Sequence, residues 1–356
     1  MEISAQGYTI YHGNAVFAQL QAFIEENYPA HSIVILVDDN TFELCLPIIS
    51  GYSDAIANAE VIEIPSGEAN KTLVNIAHIW DSLTGIGTDR NTLLINLGGG
   101  LVSDMGGFAA TTFKRGIPFI NIPTSLLAMV DASVGGKTGF DFNSIKNQVG
   151  LFSNPKAVFI EPDFLKTLPE RELFSGFAEM LKHALIADAD LWEQLKTVTP
   201  THLNDIATYI PRSIEIKNSF VTTDPHDKAE RRALNFGHTF GHAIESYFIG
   251  ADNELLHGEA IAIGMVCESF IAVEKGFISP VVLKEIEALI AIHFSFTALD
   301  NYDEEAIISL MEQDKKNSDG NINMALITNI GSYQIDVAVN HDEIKRALHY
   351  CKALSY

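Results

Sequence analysis

The chain has 356 residues, of which 47% are hydrophobic and 19% are charged, a composition typical of a folded globular protein of about two domains. Its 46 acidic residues outnumber 23 lysines and arginines, and the net charge of −23 argues against sequence-independent binding of nucleic acid or anionic lipid. Residues 1–16 lack the features of a secretory signal, no apolar run reaches the ~20 residues of a membrane span, and the three cysteines form no CxxC motif. We therefore expect a cytoplasmic protein without a disulfide framework, bound to neither membrane nor nucleic acid.

The first half of the sequence predicts alternating strands and helices. Short apolar runs rich in β-branched residues, typical of strands buried on both faces, lie at 34–37, 61–64, 93–97, 119–122 and 158–160. Helical spacing appears at 15–26 and 73–83. Because such alternation makes strands parallel, we expect a nucleotide-type α/β domain over residues 1–168 with a mostly parallel, Rossmann-like sheet.

The second half predicts a mainly helical domain over residues 169–356. Helical periodicity extends over 170–186, 203–220, 232–248, 259–274, 280–293 and 303–311. Two strand-like runs, 324–328 and 333–337, flank Gly331 and predict a hairpin. We expect the active site in the cleft between the two domains, a place where ligand sites are common.

A glycine-rich segment, LGGGLVSDMGG from Leu97 to Gly107, follows the third predicted strand. Glycines allow the backbone to approach a phosphate, and the N–H groups of the next helix can bind it. The spacing matches neither GxGxxG nor the Walker pattern, so a purely structural strand-to-helix turn remains an equal alternative. Asp104 lies one turn into the predicted helix, where it either caps that helix or faces a ligand.

A second segment gathers small hydroxyls, a carboxylate, paired glycines and two lysines. It consists of PTSLL from Pro123, DASVGGK from Asp131 and the pair Lys146–Asn147. The glycine pair allows a backbone turn to pass close to a bound group, and Lys137 supplies a point charge. This composition favours anion binding over a purely structural role.

The strongest signal is a group of histidines in the second half. The segment from Arg231 to Glu245, RRALNFGHTFGHAIE, is predicted as one helix on which His238 and His242 share a face. His257 begins the next predicted helix, and Glu179 lies upstream, three residues before a lysine. Two imidazoles and a carboxylate with one open position are typical of catalytic zinc, but spacing alone leaves open which two histidines bind. The pattern is not HExxH, so a metalloprotease is not indicated.

Taken together, these motifs resemble the 3-dehydroquinate synthase family over about residues 34–327. Further matching motifs are GEANK at 67–71, KRG at 114–116, LKTLP at 165–169 and HGE at 257–259. The resemblance implies a lyase of the shikimate pathway that uses NAD and one divalent metal, zinc or cobalt. It would convert 3-deoxy-D-arabino-heptulosonate 7-phosphate (DAHP) to 3-dehydroquinate and phosphate by oxidation, β-elimination, reduction and aldol closure. The alternatives are another sugar-phosphate cyclase, a metal-dependent polyol dehydrogenase or a non-catalytic binding protein.

The resemblance also implies residue roles. The implied metal ligands are Glu179, His238 and His257. The implied catalytic and substrate residues are Asp104, Asp131, Lys137, Asn147, Lys182, Lys217, Arg231, Asn235 and His242. The implied cofactor residues are Asp38, Asn40, Gly67, Glu68, Lys71, Gly99, Gly100, Leu101, Val102, Ser103, Thr124, Ser125, Leu127, Lys137, Lys146, Phe164, Leu165, Lys166, Thr167, Leu168 and Glu172. Arg115 matches an arginine that reaches a neighbouring subunit's site, which implies a homodimer.

A few positions depart from the family pattern. Ser125 stands where a second threonine is usual, Phe177 and Met180 vary the GLAEVIK pattern, and Asp227 replaces a common glutamate. Lysines 315 and 316 match a late lysine motif without showing which of Lys315 and Lys316 would enter the site. No departure removes an implied metal ligand.

Overall fold

The structure, a computed structural model, describes residues 1–13, 15–143, 145–314 and 322–354. The chain forms two compact units, Met1–Pro169 and Glu170–Tyr356. No helix of the described ranges combines the length and hydropathy that crossing a membrane requires.

The first unit is built on a seven-stranded sheet. Its strands and helices are β1 (Glu2–Ala5), β2 (Tyr8–His12), α1 (Val16–Asn27), β3 (Ser32–Asp38), α2 (Asp39–Leu44), α3 (Leu46–Ser50), α4 (Asp54–Ala57), β4 (Glu60–Ile64), α5 (Leu73–Gly85), β5 (Thr92–Gly98), α6 (Gly100–Thr112), β6 (Phe119–Pro123), β7 (Lys137–Phe142), β8 (Ile145–Phe152) and β9 (Ala157–Ile160). The order is β1-β2-β9-β6-β5-β3-β4, and β1 alone pairs antiparallel with its neighbour. The predicted mostly parallel sheet and its five strands are confirmed.

The apolar strand runs are explained by burial on both faces of the sheet. Strand β5 is buried along its whole length, and α5 and α6 pack over β3, β4 and β5 in one hydrophobic cluster. Two hairpins, β1–β2 and β7–β8, were not predicted. The β7–β8 sequence is polar and glycine-rich. Only glycine fits at position 139, because a Cβ there would lie 2.5 Å from the carbonyl oxygen of Val149.

The second unit is mainly helical, as predicted. It contains α7 (Glu170–Ala187), α8 (Ala189–Leu195), α9 (Leu203–Thr223), α10 (His238–Phe248), α11 (His257–Glu274), α12 (Pro280–His293), α13 (Glu304–Asp314), β10 (Ile322–Asn329), β11 (Ser332–Val339) and α14 (His341–Lys352). Helix α11 is mostly apolar and is buried on nearly all sides, because α7, α10, α12 and α14 pack around it. The predicted hairpin is confirmed as β10–β11, with Gly331 at φ +81° in its turn.

The prediction of one helix from Arg231 to Glu245 is wrong. Residues Glu230–Asn235 form a 3₁₀ helix, the chain then turns at Gly237 (φ +81°), and α10 begins only at His238. The reason is packing, because a Cβ at Gly237 would lie 2.7 Å from Cγ of Met265 on α11. Apolar spacing does not distinguish a continuous α-helix from a 3₁₀ turn followed by a new helix.

Candidate metal centre and cofactor-binding region

Three predicted metal ligands of the second unit converge. Glu179 lies on α7, His238 is the first residue of α10, and His257 is the first residue of α11. Oε1 of Glu179 lies 3.5 Å from Nε2 of His238 and 3.5 Å from Nε2 of His257. Ligand atoms at ~2.0–2.1 Å from one tetrahedral ion are about 3.3–3.4 Å apart. The spacing of the donor atoms therefore fits a zinc-type ion.

Hydrogen bonds on the far side of each imidazole orient it. Nδ1 of His238 lies 3.2 Å from the carbonyl oxygen of Phe236, and Nδ1 of His257 lies 3.2 Å from Oε2 of Glu245. Both contacts favour the tautomer with the proton on Nδ1, which leaves the Nε2 lone pair directed to Glu179. Glu245 was not among the predicted residues, although a carboxylate near paired histidines is the signal that would have found it.

The two ligand imidazoles have pKa values shifted in opposite directions. Burial, and then the charge of Lys182, hold the pKa of His238 well below its usual value. Burial also acts to lower the pKa of His257, but Glu245 and Glu179 outweigh it and raise that pKa to about 9. A cation that binds at His257 would therefore compete with a proton for the same imidazole. Lys182 itself forms an ion pair with Oε2 of Glu179, and both side chains are buried.

His242 lies one turn beyond His238. Its ring centroid is 5.0 Å from that of His238 and 5.8 Å from that of His257, and the three imidazoles place nitrogens within 4.8 Å of one another. The described residues thus offer two donor sets that share His238 and His257, one completed by Glu179 and one by His242. The set with Glu179 adds a carboxylate whose Oε1 lies 3.5 Å from Nε2 of both shared ligands.

Three more predicted residues of this unit come from α9 and the 3₁₀ segment before α10. Lys217 lies on α9 and is 7% exposed, while Arg231 and Asn235 lie on the 3₁₀ segment. Arg231 is buried, and its Nη1 donates to the carbonyl oxygen of Pro225 at 2.9 Å. Its backbone N–H donates to Asp224, a residue that the sequence analysis did not single out. Glu172 occupies the first turn of α7.

In the first unit, several of the predicted cofactor residues lie where the sheet topology favours a nucleotide. The chain runs from β3 outward to β4, then returns to β5 on the other side of β3. Connections therefore leave the carboxyl ends of β3 and β5 in opposite directions, which is the position where open α/β sheets bind ligands. Asp38 ends β3 and Gly98 ends β5, and the backbone N–H of Thr124 after β6 donates to the Gly98 carbonyl.

The N-terminus of α6 offers backbone donors at this position. A helix leaves its first N–H groups without partners inside the helix, and Gly99 caps α6 with no side-chain hydrogen bond. A Cβ at Gly99 would lie 3.3 Å from Oγ of Ser125. Side chains of the first turn face inward, since Val102 is fully buried and Ser103 Oγ donates to the carbonyls of Gly99 and Gly100. This segment would therefore hold a phosphate through its backbone.

A buried lysine organises the second group of predicted residues in this unit. Nζ of Lys71 donates to Oδ2 of Asp104 at 2.6 Å and to Oδ1 of Asn147 at 2.7 Å. Burial acts to lower the pKa of Lys71, but Asp104 and Glu68 outweigh it and raise that pKa. Asp104 thus pairs with a cation and does not cap α6. Asp141, which the sequence analysis missed, accepts the backbone N–H of Asn147 at 2.7 Å.

The other predicted cofactor residues are more dispersed. Asp38 is 8% exposed and caps α2 through Thr41, and burial raises its pKa. Phe164 and Leu165 have buried side chains in the 3₁₀ turn after β9, and Lys166 is exposed beside Asp163. The remaining ones lie in short helices, turns and loops of the first unit, namely Asn40 on α2, Gly67 before a 3₁₀ turn, Glu68 in that turn beside Lys146, Ser125 and Leu127 after β6, Thr167 at the end of the 3₁₀ turn after β9, and Leu168 directly after it.

The predicted substrate residues Asp131 and Lys137 lie in unusual backbone. Asp131 falls in a π-helical turn, Ala128–Ala132, a conformation often found at functional sites. Lys137 is exposed and follows Gly135 and Gly136, whose φ values of +99° and +66° only glycine adopts easily. Lys315 and Lys316 lie outside the described residues.

Comparison with known proteins agrees with this geometry. The family model for the 3-dehydroquinate synthase N-terminal domain matches residues 61–175, and the one for the C-terminal domain matches residues 176–317. The chain belongs to the 3-dehydroquinate synthase family. A 3-dehydroquinate synthase of Parabacteroides distasonis is 39% identical over 338 residues, 94% of each chain. One of Lactococcus lactis subsp. cremoris is 36% identical over 340 residues, 94% of this chain and 95% of the other.

Solved structures extend the likeness to the fold. A 2-deoxy-scyllo-inosose synthase complexed with carbaglucose-6-phosphate, NAD⁺ and Co²⁺ matches with a TM-score of 0.85 at 24% identity, over 98% of this chain and 100% of that one. A 2-epi-5-epi-valiolone synthase of Streptomyces hygroscopicus with NAD⁺ and Zn²⁺ bound matches with a TM-score of 0.85 at 25% identity, over 99% and 98%. The resemblance of the motifs to the 3-dehydroquinate synthase family and the two-domain fold class are thereby confirmed.

Proposed function

We propose that this chain is a 3-dehydroquinate synthase that uses NAD and one divalent metal to convert DAHP into 3-dehydroquinate and phosphate. The observation that carries the proposal is the position of Glu179 Oε1, 3.5 Å from Nε2 of both His238 and His257, in a chain that belongs to this family. Their oriented imidazoles and carboxylate fit zinc or cobalt. A bound ion supplies a Lewis acid for the substrate oxygens, and bound NAD supplies a hydride acceptor that is regenerated in each turnover.

The second unit would bind and protonate the substrate. Arg231 presents a planar guanidinium suited to a bidentate contact with a carboxylate or phosphate, and Lys217 adds a point charge. Asn235 contributes amide hydrogen bonds, and Lys182 holds the Glu179 carboxylate in place. His242, beside the two ligand imidazoles, would carry protons to and from substrate oxygens.

The first unit would bind the cofactor and the remaining substrate groups. The N–H groups at the start of α6 suit a pyrophosphate. Lys71 fixes Asp104 and Asn147 in one hydrogen-bonded group, so the carboxylate and the amide are held before substrate arrives. Lys137, Lys146 and Asp131 would complete the contacts with the phosphorylated substrate. Since NAD is an intracellular coenzyme, this activity supports the cytoplasmic placement expected from the sequence.

A matched set of assays tests this function. Purified protein with DAHP, NAD and Zn²⁺ or Co²⁺ should release phosphate without steady accumulation of NADH, and a chelator should stop the release until metal is restored. His257→Ala should abolish activity, while Glu274→Gln, a change in a surface ion pair with Arg346, should leave it intact. Folded, metal-replete protein that releases no phosphate from DAHP would overturn the proposal.

The same assay separates the alternatives. Cyclisation of a different sugar phosphate, such as glucose 6-phosphate, in preference to DAHP would indicate another sugar-phosphate cyclase. Steady formation of NADH from glycerol would indicate a polyol dehydrogenase, a class that shares the fold, as a probable glycerol dehydrogenase of Sinorhizobium meliloti does with a TM-score of 0.60 at 15% identity.

We further propose a homodimer in which Arg115 acts on the neighbouring subunit's site. Its support is a strained loop, since Lys114, Arg115 and Gly116 have φ values of +47°, +68° and +108° in succession. Backbone strain of this kind persists where a side chain must be held in one direction. Mixing Arg115→Ala with His257→Ala subunits should restore activity, because only a mixed dimer then joins an intact metal set with an intact arginine. A monomeric protein, or mixtures without activity, would contradict this arrangement.

A further inference from the structure

The start of α10 is held by a buried carboxylate from a neighbouring helix. Glu268 lies on α11 and its side chain is fully buried. Its Oε2 accepts the backbone N–H of Gly237 at 2.7 Å, and its Oε1 accepts the backbone N–H of Thr239 at 3.1 Å. The two bonds grip the main chain on either side of His238, the first residue of the helix.

Helix α10 has no N-cap side chain of its own that could accept these backbone N–H groups. Its N-cap residue is Gly237, which has no side chain and adopts a left-handed conformation. The N–H groups at a helix start need acceptors, and an anion there also gains from the helix dipole. Glu268 supplies both oxygens as charged acceptors, which form stronger hydrogen bonds than neutral ones.

Glycines allow the two helices to come close enough for this contact. A Cβ at Gly264 would lie 1.9 Å from the carbonyl oxygen of Gly237, and a Cβ at Gly241 would lie 3.1 Å from Cα of Ile261. Any larger residue at Gly264 would push α10 away from α11. The carboxylate of Glu268 reaches the start of α10 because these positions carry no side chain.

The face of α11 that packs against α10 also carries a proposed metal ligand. His257 and Glu268 are eleven residues apart on α11, which is close to three turns, so the two side chains leave the helix within about 20° of each other. Gly264 lies seven residues after His257 on the same face. One rigid helix therefore provides one ligand directly and fixes the backbone of the second.

From this geometry we infer that Glu268 is a positioning residue for the metal centre, acting on His238 through the backbone of Gly237 and Thr239. The inference rests on the proposed function in assuming that His238 is a ligand. In this role Glu268 acts on the main chain at the start of α10. Glu268 fixes the backbone position from which the His238 side chain extends, while the hydrogen bond to the Phe236 carbonyl oxygen fixes the orientation of the ring. Groups that orient ligands from outside the coordination sphere typically change metal affinity ~10–100-fold.

The experiment measures metal affinity and coordination rather than turnover. Zn²⁺ would be titrated into the metal-free full-length chain against a chromophoric chelator, and the visible spectrum of bound Co²⁺ would report ligand geometry. We expect Glu268→Ala to weaken Zn²⁺ binding about 10–100-fold and to change the Co²⁺ spectrum. Glu268→Gln keeps one acceptor oxygen and the volume of the side chain, so it should lie between wild type and Glu268→Ala. It also serves as the test if the alanine variant fails to fold.

Two controls separate the possible failures. Ser269→Ala changes the adjacent, equally buried side chain on α11 and should leave affinity and spectrum as in wild type. His238→Ala tests the metal centre itself: if it leaves Zn²⁺ affinity unchanged, the proposed ligand set is wrong. If His238→Ala weakens binding while folded Glu268→Gln and Glu268→Ala bind Zn²⁺ and Co²⁺ as wild type does, the ligand set stands and the positioning role of Glu268 is overturned.

Discussion

Asp224, just after α9, is the residue whose removal we expect to disturb the turn of Arg231 most directly. Its carboxylate accepts backbone N–H groups of Lys228 at 3.1 Å, Ala229 at 2.6 Å and Arg231 at 3.3 Å. Burial alone would raise the pKa of Asp224, but these three donors and the Arg231 charge outweigh it and lower that pKa. The ionised form of Asp224 is therefore more stable in the folded chain than in the unfolded chain, so the carboxylate contributes to the free energy of unfolding.

The loss can be estimated from these bonds. A hydrogen bond to a charged acceptor contributes roughly 1.5–3 kcal/mol, but water can reach part of this turn once the carboxylate is gone. We expect Asp224→Ala to lower the free energy of unfolding of the second unit by about 3 kcal/mol, and Asp224→Asn, which keeps one acceptor oxygen, by about half as much. The KM of the substrate should rise with little change in kcat, because the turn carries Arg231.

The pH dependence has a definite sign. Because the folded pKa of Asp224 is depressed, its contribution is present above the usual carboxyl value of 3.8 and is lost as the pH falls through the lower, folded value. The difference in stability between wild type and Asp224→Asn should therefore be full at pH 7 and shrink below about pH 4.

Urea unfolding can isolate the second unit. The chain has two tryptophans, and Trp80→Phe leaves Trp192, which is buried on α8, as the fluorescent probe. Asp205→Ala, on the exposed side of α9, serves as the matched control and should stay within about 0.5 kcal/mol of the parent. A loss of less than 0.5 kcal/mol in Asp224→Ala, or a difference from Asp224→Asn that does not shrink in acid, would refute the reasoning.

Three further predictions concern other contacts. Lys71→Met should destabilise the first unit by about 3–5 kcal/mol in urea unfolding, since it leaves the Asp104 carboxylate buried without its cation, and adding Asp104→Leu should recover much of the loss. Tyr333→Phe removes a 2.7 Å hydrogen bond to Oε2 of Glu230, which begins the 3₁₀ segment that carries Arg231. It should raise KM about fivefold, equivalent to about 1 kcal/mol, in steady-state kinetics. The thiols of Cys267 and Cys351 lie 2.9 Å apart, so diamide should couple them to each other and not to the third cysteine, as peptide mapping by mass spectrometry would show.

Much of the architecture could be predicted because its pattern is local. Strands buried on both faces must be apolar along their length, and β5 shows this directly. Helix α12 begins at Pro280 and ends at His293, the bounds that its periodicity predicts. Helix α14 was overlooked although its buried residues 344, 347, 348 and 351 have helical spacing, because its polar surface lowers the overall hydropathy.

From spacing alone, the candidate site was predicted as a carboxylate with histidines, and the choice of histidines was left open. The resemblance to the family then named Glu179, His238 and His257 as the ligands. The break at Gly237 could not be predicted, because it depends on the approach of Met265 from α11, a residue 28 positions further along the chain. For the same reason the links of Lys71 to Asp104 and Asn147, 33 and 76 residues away, appear only in the folded unit.

The sequence by itself determined the family, the fold class of each half of the chain, and the kinds of ligand that this chain offers, since each of these follows from local spacing and residue chemistry. Only the tertiary structure decided that Oε1 of Glu179 lies equally far from two imidazoles, that Glu245 contacts the far side of His257, and that Glu268 accepts the backbone N–H groups on either side of His238. The physical reason is that these are contacts between helices. Their geometry depends on how closely two helices approach each other, here at the glycines of α10 and α11. The local spacing of residues along the chain does not show that distance.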